Sequence, residues 1–206
     1  MPVEHAMTFI QTLGLAMGAA WVSGINLYAT VATLGLLGRF GNLTLPGELG
    51  ELTNWWVIGL ATALYCIEFV ADKVPYVDNV WDVVHTFIRV PAGAVVAAGA
   101  FGDFDPTVKT VALLLGGGLA LSSHGTKMAT RTLINVSPEP VTNAIASFVE
   151  DVLAVVTVVL AYLLPVLAIV IVGIGLIVTL LLLPRIIRAM RAMFSFLRGK
   201  KPQASP

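Results

Sequence analysis

The sequence predicts an all-α polytopic membrane protein, a single-domain bundle of about six transmembrane helices. Of its 206 residues, 57% are hydrophobic and only 12% are charged, whereas about a quarter of the residues in an ordinary soluble domain are charged. The mean hydropathy is +0.90. This composition excludes a disordered chain, a secreted disulfide scaffold and a nucleic-acid-binding protein with a basic surface.

Six apolar stretches are predicted to be the spans, because a helix needs about 20 apolar residues to cross a hydrocarbon core of about 30 Å. They are residues 7–38, 54–71, 87–102, 107–130, 140–164 and 166–184. The uncharged stretch 152–184 would measure about 50 Å as one helix, and Pro165 is placed to divide it. The fifth span then takes in residues 140–151, so Glu150 and Asp151 lie near its middle.

The distribution of basic residues predicts the orientation. With six spans, ten Lys and Arg residues fall on the side of the two termini, and only Arg39 and Lys109 fall on the other. Because Lys and Arg are enriched on the cytoplasmic side, we expect both termini in the cytoplasm. The transmembrane domain covers residues 1–184. Residues 185–206 form a basic cytoplasmic tail with six basic and no acidic residues, suited to anionic lipids.

An internal repeat is indicated at an offset of 100 residues. Residues 13–30 and 113–130 are identical at seven of eighteen positions, Ser and Thr among them. If the halves 7–102 and 107–184 each cross the membrane three times, an odd number, they have opposite orientations in the membrane. Inverted repeats of this kind are common among transporters. The alternative is a six-helix bundle whose halves match only because their compositions are similar.

Carboxylates inside the spans are the first candidates for a site, because ionisable groups are costly within a membrane. Glu68 and Asp72 are four residues apart and face the same way on a helix. Such a pair could hold a metal ion or share a proton. Glu150 is a weaker repeat counterpart of Glu68, and Asp151 follows it. The alternative is a set of structural ion pairs with nearby cations, namely Lys73, Lys127 and Arg131.

An acidic stripe precedes the third span. Asp78, Asp82, His85 and Arg89 recur at spacings of 4, 3 and 4 and share one helix face. The pattern predicts an amphipathic helix at the cytoplasmic interface that leads into the span. The sequence leaves open whether its polar face meets water or a functional site.

A basic stripe occupies the end of the fourth span. His124, Lys127, Arg131 and Asn135 recur at spacings of 3, 4 and 4. Pairing with the acidic stripe is the arrangement with the lowest energetic cost, since an unpaired buried charge costs several kcal/mol. A phosphate or lipid headgroup bound by Lys127 and Arg131 is the alternative.

The repeat segment in the first span contributes the polar residue Asn26. Gly24 in this span, and Gly125 in the fourth, could let either helix open locally and expose carbonyl oxygens. An opening of this kind would suit a cation site. Close helix packing is the alternative role for both glycines.

Two strings, FVADKVPYVDNVWDVVHTFIRVPAGA and SHGTKMATRTLINVSPEPVTNAIASFVED, resemble a family of bacterial membrane proteins called domain of unknown function 4126. The resemblance extends from about residue 10 to residue 165. It implies a multi-span protein of the bacterial inner (plasma) membrane. It supplies no activity and no catalytic residue.

The leading hypothesis is a small secondary transporter or ion-conducting protein for a cation or another small polar solute. In one form of this hypothesis, movement of the solute is coupled to movement of protons. The expected ion-binding residues are Glu68, Asp72, Glu150, Asn26 and His124. A second set of residues is expected either to surround these ligands or to bind phosphate. It consists of Lys73, Asp78, Asp82, His85, Arg89, Lys127, Arg131 and Asp151. We expect no catalytic residue and no cofactor, except for a divalent cation on Glu68 and Asp72. The expected partners are the bilayer, anionic lipids, the solute and other copies in an oligomer, but no nucleic acid.

Two alternatives stay open. The first is a membrane enzyme acting on a phosphorylated or lipid substrate at the cytoplasmic interface. Its metal would lie on Asp72, Asp78 and Asp82, with His85 as the acid or base. The second is a structural partner in a membrane assembly. A transport site should reach the middle of the membrane, whereas an enzyme site should stay at the interface.

Overall fold

The computed structural model describes residues 2–41, 44–135 and 140–197, and all regular structure in these ranges is helical. The α-helices are α1 (Pro2–Ile25), α2 (Leu27–Phe40), α3 (Trp55–Ala71), α4 (Val77–Ala100), α5 (Pro106–Ile134), α6 (Pro140–Leu163) and α7 (Pro165–Leu197). A short 3₁₀ helix, Gly47–Thr53, precedes α3. The predicted all-α fold is confirmed.

Side-chain caps fix where several helices begin. Asn54 accepts a hydrogen bond from the Trp56 amide at the start of α3, and Asp105 accepts one from the Thr107 amide at the start of α5. Each cap satisfies an amide that has no partner within its helix. Pro165 opens α7 and divides it from α6, as predicted.

The first two helices form a hairpin. Phe9, near the start of α1, packs against Phe101 just beyond the end of α4, with 5.8 Å between ring centroids. Thr44 follows α2, and it lines a polar cavity together with Thr12 of α1 and Asp103. The start of α1 and the residues after α2 therefore lie at the same end of the bundle, which we call the Phe101 end.

The chain reverses its direction at Asn26. This residue has an extended backbone (φ −147°, ψ 98°), and its side-chain oxygen accepts a hydrogen bond from the Ala29 amide. The prediction of a single span over residues 7–38 is wrong, because this cap starts a new helix that returns to the Phe101 end. The break lies two residues beyond Gly24, whereas α5 continues through Gly125.

The later helices alternate between the Phe101 end and the opposite end, which we call the Asp78 end because α4 begins there. In α7, Pro165 lies against Gly14 of α1, and Gly175 lies against Trp21. α7 thus runs alongside α1 in the same direction, away from the Phe101 end. This arrangement does not support the expectation that both termini share one side of the membrane, because the start of α1 lies at the Phe101 end and α7 runs toward the Asp78 end.

The acidic stripe and the third span belong to one helix. α4 is continuous from Val77 to Ala100 and contains Pro91. The predicted boundary at residue 87 is therefore wrong. The whole polar face of the stripe is buried, comprising Asp78, Asp82, His85 and Arg89. It faces neighbouring helices rather than water.

The surface and length of the helices are those of a membrane protein. In the part of the chain that the structure describes, three helical segments are long and apolar enough to cross a membrane: Thr8–Ile25, Val77–Ala100 and Val141–Leu163. The 3₁₀ helix and α3 would supply a fourth span, bent by 74°. Large apolar side chains are exposed along the outer helices, as lipid contact requires. Beyond these spans, the number of crossings stays a prediction.

Small residues bring the central helices close together. Gly24 of α1 packs against the Ala120 carbonyl of α5, and Gly93 of α4 packs against the Ala120 side chain. Gly116 lies against Ala97 in the same way. This close approach of α1, α4 and α5 is the packing mode expected between membrane helices, and it brings polar faces of the three helices together.

Candidate functional site

Charged side chains from α3 to α6 meet at the Asp78 end and extend into the bundle. We call this set the charge network. It consists of Glu68, Asp72, Lys73, Asp78, Asp82, Arg89, Lys127, Arg131, Glu150 and Asp151. Only Lys73 and Glu150 are appreciably exposed, with 26% and 17% of their side chains accessible. Six carboxylates face four cations, which leaves two negative charges in excess when all groups are ionised.

Arg89 links α3 and α4 at the deepest part of the network. Its Nη2 lies 2.8 Å from Glu68 Oε1, and its Nη1 lies 2.8 Å from Asp82 Oδ1. All three side chains are almost completely buried. Asp82 and Arg89 are two helical turns apart and therefore lie on the same face of α4.

Lys127 of α5 lies at the centre of the network. Four carboxylate oxygens lie within 4 Å of its Nζ: Asp72 Oδ2 at 2.6 Å, Glu150 Oε2 at 3.5 Å, Asp82 Oδ1 at 3.6 Å and Glu68 Oε1 at 3.9 Å. Glu68 and Glu150, the carboxylates that the repeat placed in correspondence, thus share one lysine as a neighbour.

Arg131 closes the network toward the Asp78 end. It binds Glu150 through two contacts, Nε–Oε1 at 3.2 Å and Nη2–Oε2 at 2.6 Å. Its Nη1 donates to Asn143 Oδ1 at 2.7 Å, and Asn143 Nδ2 donates to the Asp72 carbonyl. A bidentate pair of this kind fixes the orientation of both side chains.

Two peripheral groups complete the set. Asp151 accepts a hydrogen bond from Asn26 Nδ2 at 3.0 Å and lies 3.6 Å from Lys73 Nζ. Asp78 accepts two hydrogen bonds of 3.0 Å from Asn135 Nδ2. The first contact attaches the break between α1 and α2 to α6.

The helix break presents backbone carbonyls to the network. The Gly24 carbonyl lies 3.1 Å from His124 Nδ1, and the Ile25 carbonyl accepts a hydrogen bond of 3.2 Å from Lys127 Nζ. These carbonyls are at the C-terminal end of α1, where the helix dipole favours positive charge. The exposed carbonyls predicted for this segment are present, and a lysine of the protein binds one of them.

The two histidines have different surroundings. His124 is fully buried and contacts Thr86 Oγ1 at 2.8 Å and Arg89 Nη1 at 3.2 Å. His85 contacts the Tyr28 hydroxyl at 3.0 Å and the Trp81 carbonyl at 2.8 Å. His124 is therefore part of the network's inner edge, whereas His85 lies beside it.

Four carboxylates keep one buried oxygen without a hydrogen-bond partner among the described residues. These atoms are Glu68 Oε2, Asp72 Oδ1, Asp82 Oδ2 and Asp151 Oδ2. The other oxygen of each of the first three is paired with Arg89 or Lys127, whereas the other oxygen of Asp151 accepts the hydrogen bond from Asn26. Buried polar atoms are rarely left unpaired, so these oxygens mark positions where a proton or another cation could bind.

The structure brings the predicted site residues together, with protein cations on most of the carboxylates. Within the described ranges, no group of three or more His, Cys, Asp or Glu residues is arranged to hold a metal ion. The metal predicted on Glu68 and Asp72 stays a prediction. Sequence reasoning missed Asn143 and Ser147, although they precede Asp151 at spacings of 4 and 4, the same signal that revealed the other stripes.

Two cavities lie toward the Phe101 end, away from the charge network. One, of about 380 Å³, is lined by polar groups that include Thr12, Asp103 and Tyr162. The other, of about 340 Å³, is almost entirely apolar and lies beside Leu13 and Ala112.

Comparison with known proteins identifies the family. No curated protein and no solved structure matches the chain. The family model described as "Domain of unknown function (DUF4126)" matches residues 13–185, which include every helix that contributes to the charge network. The resemblance seen in the two strings is thereby confirmed, and the protein belongs to the domain of unknown function 4126 family.

Proposed function

We propose that the protein is a secondary transporter or ion-conducting protein for a small cation or another small polar solute, coupled to protons. One observation carries this proposal. The C-terminal carbonyls of α1, at a helix break inside the bundle, meet a buried charge network with more carboxylates than cations. Broken helices that point their ends at an ion site are typical of secondary transporters.

The imbalance of charge supports a role beyond holding the helices together. Desolvating an unpaired charge costs several kcal/mol, so a purely structural network is best served by equal numbers of cations and carboxylates. Two extra carboxylates require protons or a bound cation. A proton on Glu68 Oε2 or Asp82 Oδ2 would leave the paired oxygen on Arg89 undisturbed.

The depth of the network also favours transport. Asp78 and Arg89 are eleven residues apart on one helix, so the network extends about 16 Å along α4. That is about half of a hydrocarbon core of about 30 Å. Toward the Phe101 end, α1 presents buried Leu15, Ala19 and Val22 instead of polar groups. The network is therefore suited to receive a solute from one side and to be closed on the other.

The basic residues suggest which side this is. Lys73, Arg131 and Arg188 belong to the Asp78 end, whereas Arg39 and Lys109 belong to the Phe101 end. Under the positive-inside rule, the Asp78 end faces the cytoplasm of a bacterial inner membrane. The start of α1 then lies on the outer side.

The enzyme alternative receives less support from the geometry. Its three metal-binding candidates are already bound by groups of the protein: Asp72 binds Lys127, Asp78 binds Asn135, and Asp82 binds Arg89. Lys127 and Arg131, the candidates for a phosphate, are likewise occupied by carboxylates.

Flux through reconstituted vesicles tests the proposal. The full-length protein is placed in liposomes that contain a pH-sensitive dye, and gradients of protons and of alkali cations are imposed. We expect flux in the wild type and a loss of at least about tenfold in Glu68→Gln, since about 1.4 kcal/mol already changes a rate tenfold. Glu48→Gln is the matched control, because Glu48 is 61% exposed and pairs with Lys109 at the Phe101 end.

Equal flux in the wild type and Glu68→Gln would remove Glu68 from the site. A wild-type protein that moves neither protons nor alkali cations under any imposed gradient would overturn the proposal itself.

A further inference from the structure

The polar cavity at the Phe101 end has the features of a second ligand site. We propose that this cavity binds a small organic molecule that carries an ammonium group, and that Asp103 and Thr12 recognise it. The inference goes beyond the proposed function and does not depend on it, because the cavity lies away from the charge network.

One face of α1 forms a wall of the cavity. The lining residues on this helix are Thr8, Gln11, Thr12 and Leu15. Their intervals of three and four residues place them on the same side of the helix. Thr8 and Gln11 are exposed, whereas Thr12 and Leu15 are buried, so the cavity leads from the surface of the Phe101 end into the bundle.

The other walls are held in position by contacts between segments. Asp103, in the turn after α4, accepts a hydrogen bond of 3.2 Å from the Gly47 amide. Gly47 has a φ of +55° and lies so close to the Gly99 carbonyl that a Cβ would collide with it. Tyr162 of α6 donates to the Thr44 carbonyl at 3.4 Å. The resulting volume of about 380 Å³ is within the range of small-molecule sites.

Asp103 makes the cavity favourable for positive charge. Among the described residues that line it, Asp103 is the only charged one. Lys109, at the same end of the bundle, is paired with Glu48. A carboxylate can accept about four hydrogen bonds, so the contact with the Gly47 amide leaves most of this capacity for a ligand.

The Thr12 hydroxyl provides a second and independent observation. Thr12 is 2% exposed and lines the cavity, and its hydroxyl makes no hydrogen bond within the described parts of the chain. Thr30 and Thr86, by contrast, donate to the carbonyl four residues earlier in the chain. Buried polar groups are rarely left unpaired, so Thr12 offers a donor and an acceptor to a molecule inside the cavity.

The combination of groups favours an organic ammonium over a bare metal ion. A hard cation such as Ca²⁺ is surrounded by about six to eight oxygen ligands, several of them charged, whereas this lining combines one carboxylate with apolar groups of Leu15, Leu45 and Pro46. An ammonium group donates three hydrogen bonds, which a carboxylate and hydroxyls can accept. The methylene groups attached to it would contact the apolar part of the wall.

Three small molecules test this assignment on the full-length wild type in detergent. Ethanolamine is a cation at neutral pH, ethylene glycol is neutral and glycolate is an anion, and each has a hydroxyl on a two-carbon skeleton. Calorimetric titration measures binding, with sodium chloride holding the ionic strength constant. We expect ethanolamine alone to bind and to raise the unfolding temperature by roughly 3–5 °C for each tenfold increase above its dissociation constant. No binding of ethanolamine, or equal binding of ethylene glycol, would overturn the inference.

Two variants test the named residues. Asp103→Asn removes the charge and keeps an acceptor for the Gly47 amide, and we expect ethanolamine to bind about tenfold more weakly. Thr12→Val keeps the shape of the side chain and removes the hydroxyl, and we expect binding about threefold weaker.

Asp105→Asn is the matched control for charge. Asp105 lies two residues beyond Asp103, caps α5 and is not among the residues that line the cavity, and asparagine is an equally good cap. We expect this variant to bind ethanolamine like the wild type. An equal loss of affinity in Asp103→Asn and Asp105→Asn would show a response to the overall charge of this end and would contradict the site.

Two sources can supply the ammonium group, a free amino alcohol in water and the headgroup of an aminophospholipid. Nanodiscs of phosphatidylcholine, with and without phosphatidylethanolamine, distinguish them, since the quaternary ammonium of phosphatidylcholine has no N–H donor. Weaker binding of ethanolamine in the presence of phosphatidylethanolamine would assign the site to a lipid headgroup. Unchanged binding would assign it to a free solute.

The two proposals fail in different ways. Flux that depends on Glu68, together with no binding of ethanolamine, would remove the ammonium site and leave the transporter. Binding of ethanolamine that depends on Asp103, without flux of protons or alkali cations, would retain the site and remove the transporter.

Discussion

Lys127 of α5 donates a hydrogen bond of 3.2 Å to the carbonyl of Ile25, the last residue of α1. The contact joins the two features on which the fold depends, since Ile25 ends its helix one residue before the chain reverses and Lys127 is the centre of the charge network. A cation at a helix C-terminus is stabilised by the helix dipole. The reversal of the chain and the position of the buried lysine therefore support each other.

Replacing Arg89 should be strongly destabilising. The change Arg89→Met leaves Glu68 and Asp82 buried without their cation, which costs about 3–5 kcal/mol. Unfolding of the purified protein by denaturant or heat measures the loss. The matched control is Arg39→Met, because Arg39 is exposed and, among the described residues, contacts the Thr53 carbonyl and the Trp55 ring rather than a carboxylate.

Neutralising Glu68 and Asp82, the carboxylates that Arg89→Met leaves without a cation, should recover part of the lost stability. We expect the triple variant with Arg89→Met, Glu68→Gln and Asp82→Asn to be more stable than Arg89→Met alone. A loss below about 1 kcal/mol in Arg89→Met would contradict the pairing in the structure.

Asn26 should matter for both stability and transport. Asn26→Ala removes the cap of α2 and the hydrogen bond to Asp151, and we expect a loss of about 1–2 kcal/mol. Asn54→Ala is a matched control, because Asn54 caps α3 in the same way at an exposed position. Stability measurements should show a loss in both variants. Liposome flux should fall only in Asn26→Ala, and an equal fall in both would argue against a role for the helix break.

Gly24 should tolerate no side chain. A Cβ at this position would collide with Ser123 Oγ and the Ala120 carbonyl. Gly24→Ala must therefore push α1 away from α5, at a cost of about 1–3 kcal/mol or more. Gly118→Ala is the control, because a Cβ there meets nothing within 4 Å, and an alanine in a helix is favoured by about 0.5–1 kcal/mol. Unfolding temperatures in opposite order would contradict the predicted packing.

The α1–α2 hairpin predicts which cysteine positions can be labelled from the same side of the membrane. In a Cys66→Ala background, cysteines replacing Thr8 and Glu48 should react with an impermeant maleimide from one side, because both positions lie at the Phe101 end. A cysteine replacing Arg188 in the last part of α7 should react from the other side. Labelling of the Thr8 and Arg188 positions from the same side of intact cells or oriented vesicles would show that α1 and α2 form a single crossing.

Much of the charge network could be predicted from the sequence, because helical spacing alone places polar residues on shared faces. The acidic stripe of α4 and the basic stripe of α5 follow from intervals of three and four residues, and their mutual attraction follows from opposite charge. The partners could not be predicted. Spacing within a helix does not determine the rotation and depth of its neighbour, so the pairing of Arg89 with Glu68 rather than with Asp72 depends on how α3 and α4 pack.

The sequence by itself determined the all-α membrane class, the division at Pro165 and the placement of charged residues on shared helix faces, since each follows from local composition or from the geometry of a single helix. Only the tertiary structure decided that the chain reverses at Asn26. The segment around Asn26 contains no proline and is as apolar as a continuous span. Its local features, Gly24 and the capping residue Asn26, are compatible with an opening of the helix but do not specify a reversal of the chain. The break is held in addition by contacts with distant parts of the chain, Asp151 of α6 and Lys127 of α5. These contacts exist only once the helices have packed.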